Sequence, residues 1–187
     1  APLHYQYKGC YIMTAVKSGL MIIDQHRAHI RILYEEYLRQ LSEHKVHSQK
    51  VLFPEMVQFS VSDQMKLEQI LPEMTEKGFQ LDSLGGGSYA VNGVPAGIDG
   101  LNVVALINEM VASAMESGTS AKEEMDQALA LSLARNAAIP QGQVLSSMEM
   151  DNIVNELFAC SNVNYTPSGE PIIAIMKQPD IEHLFDN

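Results

Sequence analysis

The feature that most constrains the fold is a change of hydrophobic period at Asp24. Leu20 to Ile23 is an unbroken apolar run, whereas Ile30, Leu33, Tyr34, Tyr37, Leu38 and Leu41 recur at three and four residues. The run suits a strand covered on both faces, and the recurrence describes one face of a helix. Asp24 supplies an N-cap between them, so a helix is predicted from Gln25 to Leu41. Arg31 with Glu35, and Glu35 with Arg39, have the spacing of side-chain pairs on its wet face. Upstream, Cys10 to Val16 is a second strand, and Lys17-Ser18-Gly19 joins the two runs as a β-hairpin.

The same reading extends along the chain. Glu43 to Ser48 is polar and reads as a linker. Val51 to Val61 is strand-like but contains Pro54, which places it at a sheet edge or outside the sheet. A helix from about Ser62 carries Leu67, Ile70, Leu71 and Met74 on one face, with Pro72 expected to kink or divide it. Three short strands follow: Phe79 to Leu81, Tyr89 to Val91 and Val94 to Ala96. Gly85-Gly86-Gly87 and Asn92-Gly93 separate them as turns. Helices are predicted near Val103 to Met115 and Lys122 to Ala138, with a mobile loop at Glu116 to Ser120 between them. Ser146 and Glu149 form a capping-box pattern opening a helix with Met150, Ile153, Val154, Leu157 and Phe158 buried. Pro171 to Met176 reads as an apolar strand and Asp180 to Phe185 as a short helix. The class is mixed α/β or α+β, with seven or eight strands.

Charge narrows the functions. Twelve basic against twenty-three acidic residues give a net charge of -11. A phosphate-binding surface needs clustered cations, and here Arg27, Arg31, Arg39, Lys45 and Lys50 are scattered. Any DNA contact is expected to be weak or indirect, with a local basic face on the first helix as the alternative. No apolar run approaches the ~20 residues of a membrane span. Cys10 and Cys160 alone make neither a disulfide framework nor a four-cysteine zinc site, and a cytoplasmic setting is expected. The chain reads as a piece of a longer protein.

Several constellations admit two readings. The triple glycine is a hairpin connection rather than a phosphate loop, because no Gly-Lys-Ser/Thr follows it. His26 and His29 are either partly buried imidazoles of a helix start or two ligands of a metal that would need more. The eleven Met residues are expected on buried helix faces. Ile172 to Met176 is apolar on both faces, and a second copy of the molecule could cover one of them. Gln49-Lys50-Val51-Leu52-Phe53-Pro54 is either a strand entering a core or a peptide that bonds through Gln49 and inserts Leu52 and Phe53 into a partner's groove.

Taken together, these stretches resemble the C-terminal dimerisation domain of the MutL DNA mismatch-repair family. The run from Leu20 through Asp24-Gln25-His26 to Glu35 is similar to the family's strand, Asp-Gln-His-Ala and helix. Gly78-Phe79, Gly85-Gly86, Ser88 to Val91 and Gly93 to Ala96 match its middle region. Ala137-Ala138-Ile139, Gly142-Gln143, Pro167, Gly169 and Pro171 match its last third, in the same order. The resemblance implies two lobes: a discontinuous dimerisation lobe, 1–47 with 143–187, and an inserted external or regulatory lobe, 48–142.

The resemblance also implies function. It makes the domain a homodimerising module, and Gln49, Leu52, Phe53 and Pro54 match the family's contact for the replication sliding clamp. It locates ATP and Mg chemistry in an N-terminal domain, names other mismatch-repair proteins as partners, and implies a nucleoid-associated protein with no membrane contact. Nuclease-competent members carry metal-site residues that this chain has changed. Asp24, His26 and Glu35 fit, but Arg27 replaces Ala, Ile30 replaces Glu, Arg135 replaces Cys, and Thr166 and Ser168 replace Cys and His. No metal, cofactor or enzymatic activity is therefore expected in this domain. The alternative is a nicking endonuclease of the MutL type with an unusual ligand set.

Overall fold

The computed structural model describes residues 3–43, 47–98, 102–114 and 121–187. The expected Glu116 to Ser120 loop, Met115 and Lys45 lie outside them. In order, the elements are β1 (His4–Tyr7), β2 (Tyr11–Val16), β3 (Gly19–Asp24), α1 (Gln25–Ser42), β4 (Ser48–Gln58), α2 (Val61–Glu76), β5 (Gln80–Gly85), β6 (Ser88–Pro95), α3 (Val103–Ser113), α4 (Ala121–Ala137), α5 (Ser147–Phe158), β7 (Ile173–Lys177) and α6 (Gln178–His183). The fold is mixed α/β, with two antiparallel sheets among the described residues, ordered β1-β2-β3-β7 and β4-β6-β5. No helix of the described residues is long and apolar enough to cross a membrane. The chain forms two compact units, 1–35 with 137–187, and 36–136.

In the first unit, β2 and β3 form the predicted hairpin, with Ile12 opposite Ile23 and Thr14 opposite Met21. Their inward residues meet Ala28 and Ile32 of α1 and Met150, Ile153, Val154 and Leu157 of α5, with Ile172 closing the core. Helix α5 starts as predicted: Ser146 Oγ accepts the Glu149 N–H, and the Glu149 carboxylate accepts the Ser146 N–H. Those bonds hold the Glu149 carboxyl below its usual range. Phe158, expected to be buried, is 50% exposed. It stands beyond Leu157, one residue further round the helix than the stripe that meets the sheet.

In the second unit, Leu67, Ile70 and Met74 are the buried face of α2. Pro72 does not divide that helix, which runs from Val61 to Glu76. The Gly85 to Gly87 turn joins β5 to β6, with all three φ values positive. Asn92-Gly93 is not a turn: β6 is one strand from Ser88 to Pro95, paired on both sides. A Cβ on Gly93 would sit 2.9 Å from Gln80 Cβ and 3.1 Å from Ser48 Oγ. Glycine is there to let a central strand pass close to both neighbours. Met56, Met65 and Met148 are exposed, so the methionines are not all core filling.

Candidate functional site

Three places deserve a chemical reading, and the first is the start of α1. Asp24 Oδ1 caps the helix by accepting the Arg27 N–H at 3.0 Å, and Oδ2 lies 3.5 Å from Arg27 Nε. Arg27 Nη1 donates to the Pro171 carbonyl at 2.9 Å, and Nη2 lies 3.5 Å from Glu170. One turn on, Arg31 is buried rather than wet. Its Nε and Nη2 donate to the Tyr165 carbonyl at 3.0 and 2.8 Å, and Nη1 meets Glu35 at 3.4 Å. Glu35 also accepts the Ser161 N–H at 2.8 Å. Each carboxylate thus faces a guanidinium through a single contact, Asp24 at 3.5 Å and Glu35 at 3.4 Å.

The remaining family metal positions are similarly engaged in structure. Ile30 is 6% exposed and contributes no ligand atom. Thr166 is buried, and its Oγ1 accepts the Glu170 N–H in the turn through Gly169. Ser168 is on the exposed side of that turn, and Arg135 is in the last turn of α4, in the other unit.

The two histidines hold one residue, Ile139, by its C=O and its N–H. His26 Nδ1 donates to the Ile139 carbonyl at 2.7 Å, and His29 Nδ1 accepts the Ile139 N–H at 2.8 Å. The first bond fixes His26 with its proton on Nδ1, the tautomer that metal-bound histidines adopt. The second requires a lone pair on His29 Nδ1, and a neutral imidazole bound to metal through Nε2 carries its proton there instead. The histidines therefore do not act as equivalent ligands. Among the described residues, no three of His, Cys, Asp and Glu converge as a metal cage. Burial and then the Glu35 charge push the Cys160 thiol up to about 11, so the free thiol is protonated at neutral pH.

The second place is the Gln49 to Pro54 segment. Gln49 pairs with Val94, and Lys50 with Gly93, but the register then jumps to Glu55 opposite Val91. β4 is an edge strand, and Pro54 falls within the jump, where no ladder donor is needed. Leu52 and Phe53 are 84% and 81% exposed, so they do not enter a core. Beside them is an open hollow of about 430 Å³ lined by Lys50, Val51, Leu52, Gln80 and Asn92.

The third place is the outer face of the β1-β2-β3-β7 sheet. Strand pairing aligns Tyr5, Met13, Ile22 and Ala174 in one row across it, and Ala15, Leu20 and Met176 in the next. Tyr7 and Tyr11 complete that side. Tyr5 is 65% exposed and Met176 40%, while Met13, Ile22 and Leu20 are half-buried. Sequence reading found the apolar doubling in β3 and β7 but not the tyrosines. Their signal was the alternation His4, Tyr5, Gln6, Tyr7, a two-residue period in a run too short to stand out.

Comparison with known proteins agrees over most of the chain. The family model described as the MutL C terminal dimerisation domain matches residues 4–145. The DNA mismatch repair protein MutL of Phocaeicola vulgatus is 53% identical over 182 residues, covering 97% of this chain and 29% of that protein. The MutL of Bacteroides fragilis is 52% identical with the same coverage. That of Porphyromonas gingivalis is 33% identical over 185 residues, 98% of this chain and 30% of its own length. The chain thus spans about three-tenths of the length of the curated relatives it matches.

Proposed function

Because the chain belongs to the MutL C-terminal dimerisation family, we propose that it joins two copies of itself through the outer face of the β1-β2-β3-β7 sheet. The observation that carries this reading is the pair of apolar rows, Tyr5-Met13-Ile22-Ala174 and Ala15-Leu20-Met176, on the side of the sheet turned away from the core. A face of this composition has a large gain from being covered. Each large side chain buried contributes roughly 1.5–3 kcal/mol. A second copy presents the same face, so contact about a two-fold axis is self-complementary. The five large side chains of these rows, Tyr5, Met13, Ile22, Leu20 and Met176, work against an association cost of about 4–15 kcal/mol.

The domain then acts as a tether within a longer mismatch-repair protein in the cytoplasm. Holding two copies together raises the effective concentration of whatever each carries for its counterpart. We further propose that Gln49 to Pro54 presents Leu52 and Phe53 to a groove on the replication sliding clamp. Their exposure on a bulged edge strand supports this, because an extended peptide already clear of its own sheet binds with little rearrangement. The domain itself cuts no DNA in this reading, since Arg27 and Arg31 hold the carboxylates a cation would need.

Sedimentation of the purified chain across a concentration series tests the first proposal. The expected mass is that of two chains at micromolar concentration, falling to one with Ile22→Glu. A monomer before any substitution would overturn it. For the clamp, Gln49→Ala with Leu52→Ala is expected to abolish binding and leave the mass unchanged; undiminished clamp affinity would refute that contact.

A further inference from the structure

After α4 the chain returns along the first unit, and residues 142–145 are tied down by two carboxamides. The Gln143 carbonyl accepts from Gln6 Nε2 at 2.8 Å and from Gln25 Nε2 at 3.0 Å. The Leu145 N–H donates to Gln6 Oε1 at 3.0 Å. Gln6 Nε2 gives its second hydrogen to Gln25 Oε1 at 2.7 Å, and Gln25 Nε2 gives its second to the Gly9 carbonyl, also at 2.7 Å. The Gly142 N–H reaches that same Gly9 carbonyl at 2.9 Å. All four amide hydrogens are used, and both acceptor positions on Gly9 and on Gln143 are filled. Gln25 has no exposed surface, so this closed set of partners is what makes its burial tolerable.

The network links β1, the turn after it, the first residue of α1 and the returning segment. Its relation to β1 matters most. That strand is an edge of four residues, with β2 as its one neighbour among the described residues. Side chains alternate along it, so Gln6 points inward and Tyr5 and Tyr7 outward onto the apolar face. Fixing the head of Gln6 fixes which way its neighbours point, because a slip of one residue would exchange the two sides.

We infer that Gln6 and Gln25 are positioning residues for that face: their amide pair holds β1 so that Tyr5 and Tyr7 are preformed as the rim of the surface that receives a second copy. The inference rests on the outer face being the dimer contact. The amide pair touches no partner itself. It acts by keeping an edge strand, otherwise free to fray, in the geometry that binding needs.

The test uses two substitutions. Gln25→Glu keeps the shape but turns an acceptor oxygen toward the Gly9 and Gln143 carbonyls. Gln6→Met removes the other head group and serves alone should Gln25→Glu not fold. Amide exchange at Tyr5, Tyr7 and Leu145 is expected to rise about tenfold or more while Ile153 and Leu157 in α5 stay protected. The dimer dissociation constant is expected to rise about tenfold, and the double variant to be no worse than the single ones, as for residues acting through one pair. Faster β1 exchange with an unchanged dissociation constant would overturn the inference and leave the dimer face standing. So would unchanged exchange in β1. Loss of dimers in Ile22→Glu, alongside no loss in Gln25→Glu or Gln6→Met, separates failure of this inference from failure of the face.

Discussion

Lys77 and Asp126 meet at 3.0 Å with side chains only 1% and 7% exposed. Lys77 Nζ also donates to the Leu41 carbonyl at 2.6 Å, so one ammonium ties α1, α2's end and α4 together inside the second unit. A buried pair contributes less than its geometry suggests, but removing one partner strands the other charge. Lys77→Ala or Asp126→Ala is therefore expected to cost about 3–5 kcal/mol. Lys77→Met with Asp126→Leu should cost less than either single change. Urea midpoints at unchanged slope measure both, and equal losses in single and double variants would contradict the account.

Gly9 has φ +62°, and a Cβ there would lie 2.7 Å from the Gly142 oxygen. Gly86 has φ +61° with nothing within 4 Å. The two positions share a backbone strain and differ only in space. Gly86→Ala should thus cost about 1–2 kcal/mol for the left-handed conformation alone. Gly9→Ala should cost more, because the clash is with backbone that also belongs to the Gln25 network. Thermal unfolding of the two variants side by side reads the difference, and equal losses would mean the returning segment moves aside freely.

What was legible in the sequence divides along physical lines. The β2-β3 hairpin, the start of α1 at Asp24, the triple-glycine turn and the Ser146-Glu149 box depend on local chemistry, and all stand as read. Asn92-Gly93 misled because the same glycine that suits a turn also suits a crowded central strand, and only the partners Gln80 and Ser48 decide. Arg31 was assigned to the wet face because its spacing to Glu35 is a surface pattern. That pair forms, but Arg31 also holds the Tyr165 carbonyl, 134 residues away, and is buried there. Gln25 belongs to the Asp24-Gln25-His26 resemblance, but nothing local in the sequence marks it as a buried amide. A buried amide has no period, and its partners come from β1, the first turn and the far end of the chain.

Cys160 is a half-buried thiol raised to about 11, first by burial and then by the Glu35 carboxylate. A raised thiol pKa keeps the folded protein in the unreactive form until the pH approaches that value. At pH 8 only about one thiol in a thousand is thiolate. Alkylation of Cys160 by iodoacetamide should accordingly be slow at pH 8 and climb toward pH 11. Glu35→Gln keeps an acceptor for the Ser161 N–H and removes the charge, so it should speed alkylation at pH 8. Mass spectrometry of the modified peptide follows both, and rapid labelling of the parent chain at pH 8 would refute the assignment.

The metal question turns on occupied groups rather than on distance. Asp24 and Glu35 each face a guanidinium, and His29 Nδ1 must keep its lone pair for the Ile139 N–H. Only His26 retains a ligand-ready tautomer. A divalent ion arriving there would have to displace Arg27 or Arg31, each of which also holds a carbonyl of the 165–171 segment. One imidazole does not supply the three protein ligands that catalytic zinc sites use. The expected outcome is no stoichiometric metal in the purified chain and no nicking of supercoiled DNA with Mn²⁺. Restoring one acid by Ile30→Glu should not rescue cutting, because the soft ligands remain replaced by Arg135 and Thr166. Nicking by the parent chain that disappears in His26→Ala would establish the endonuclease reading in its place.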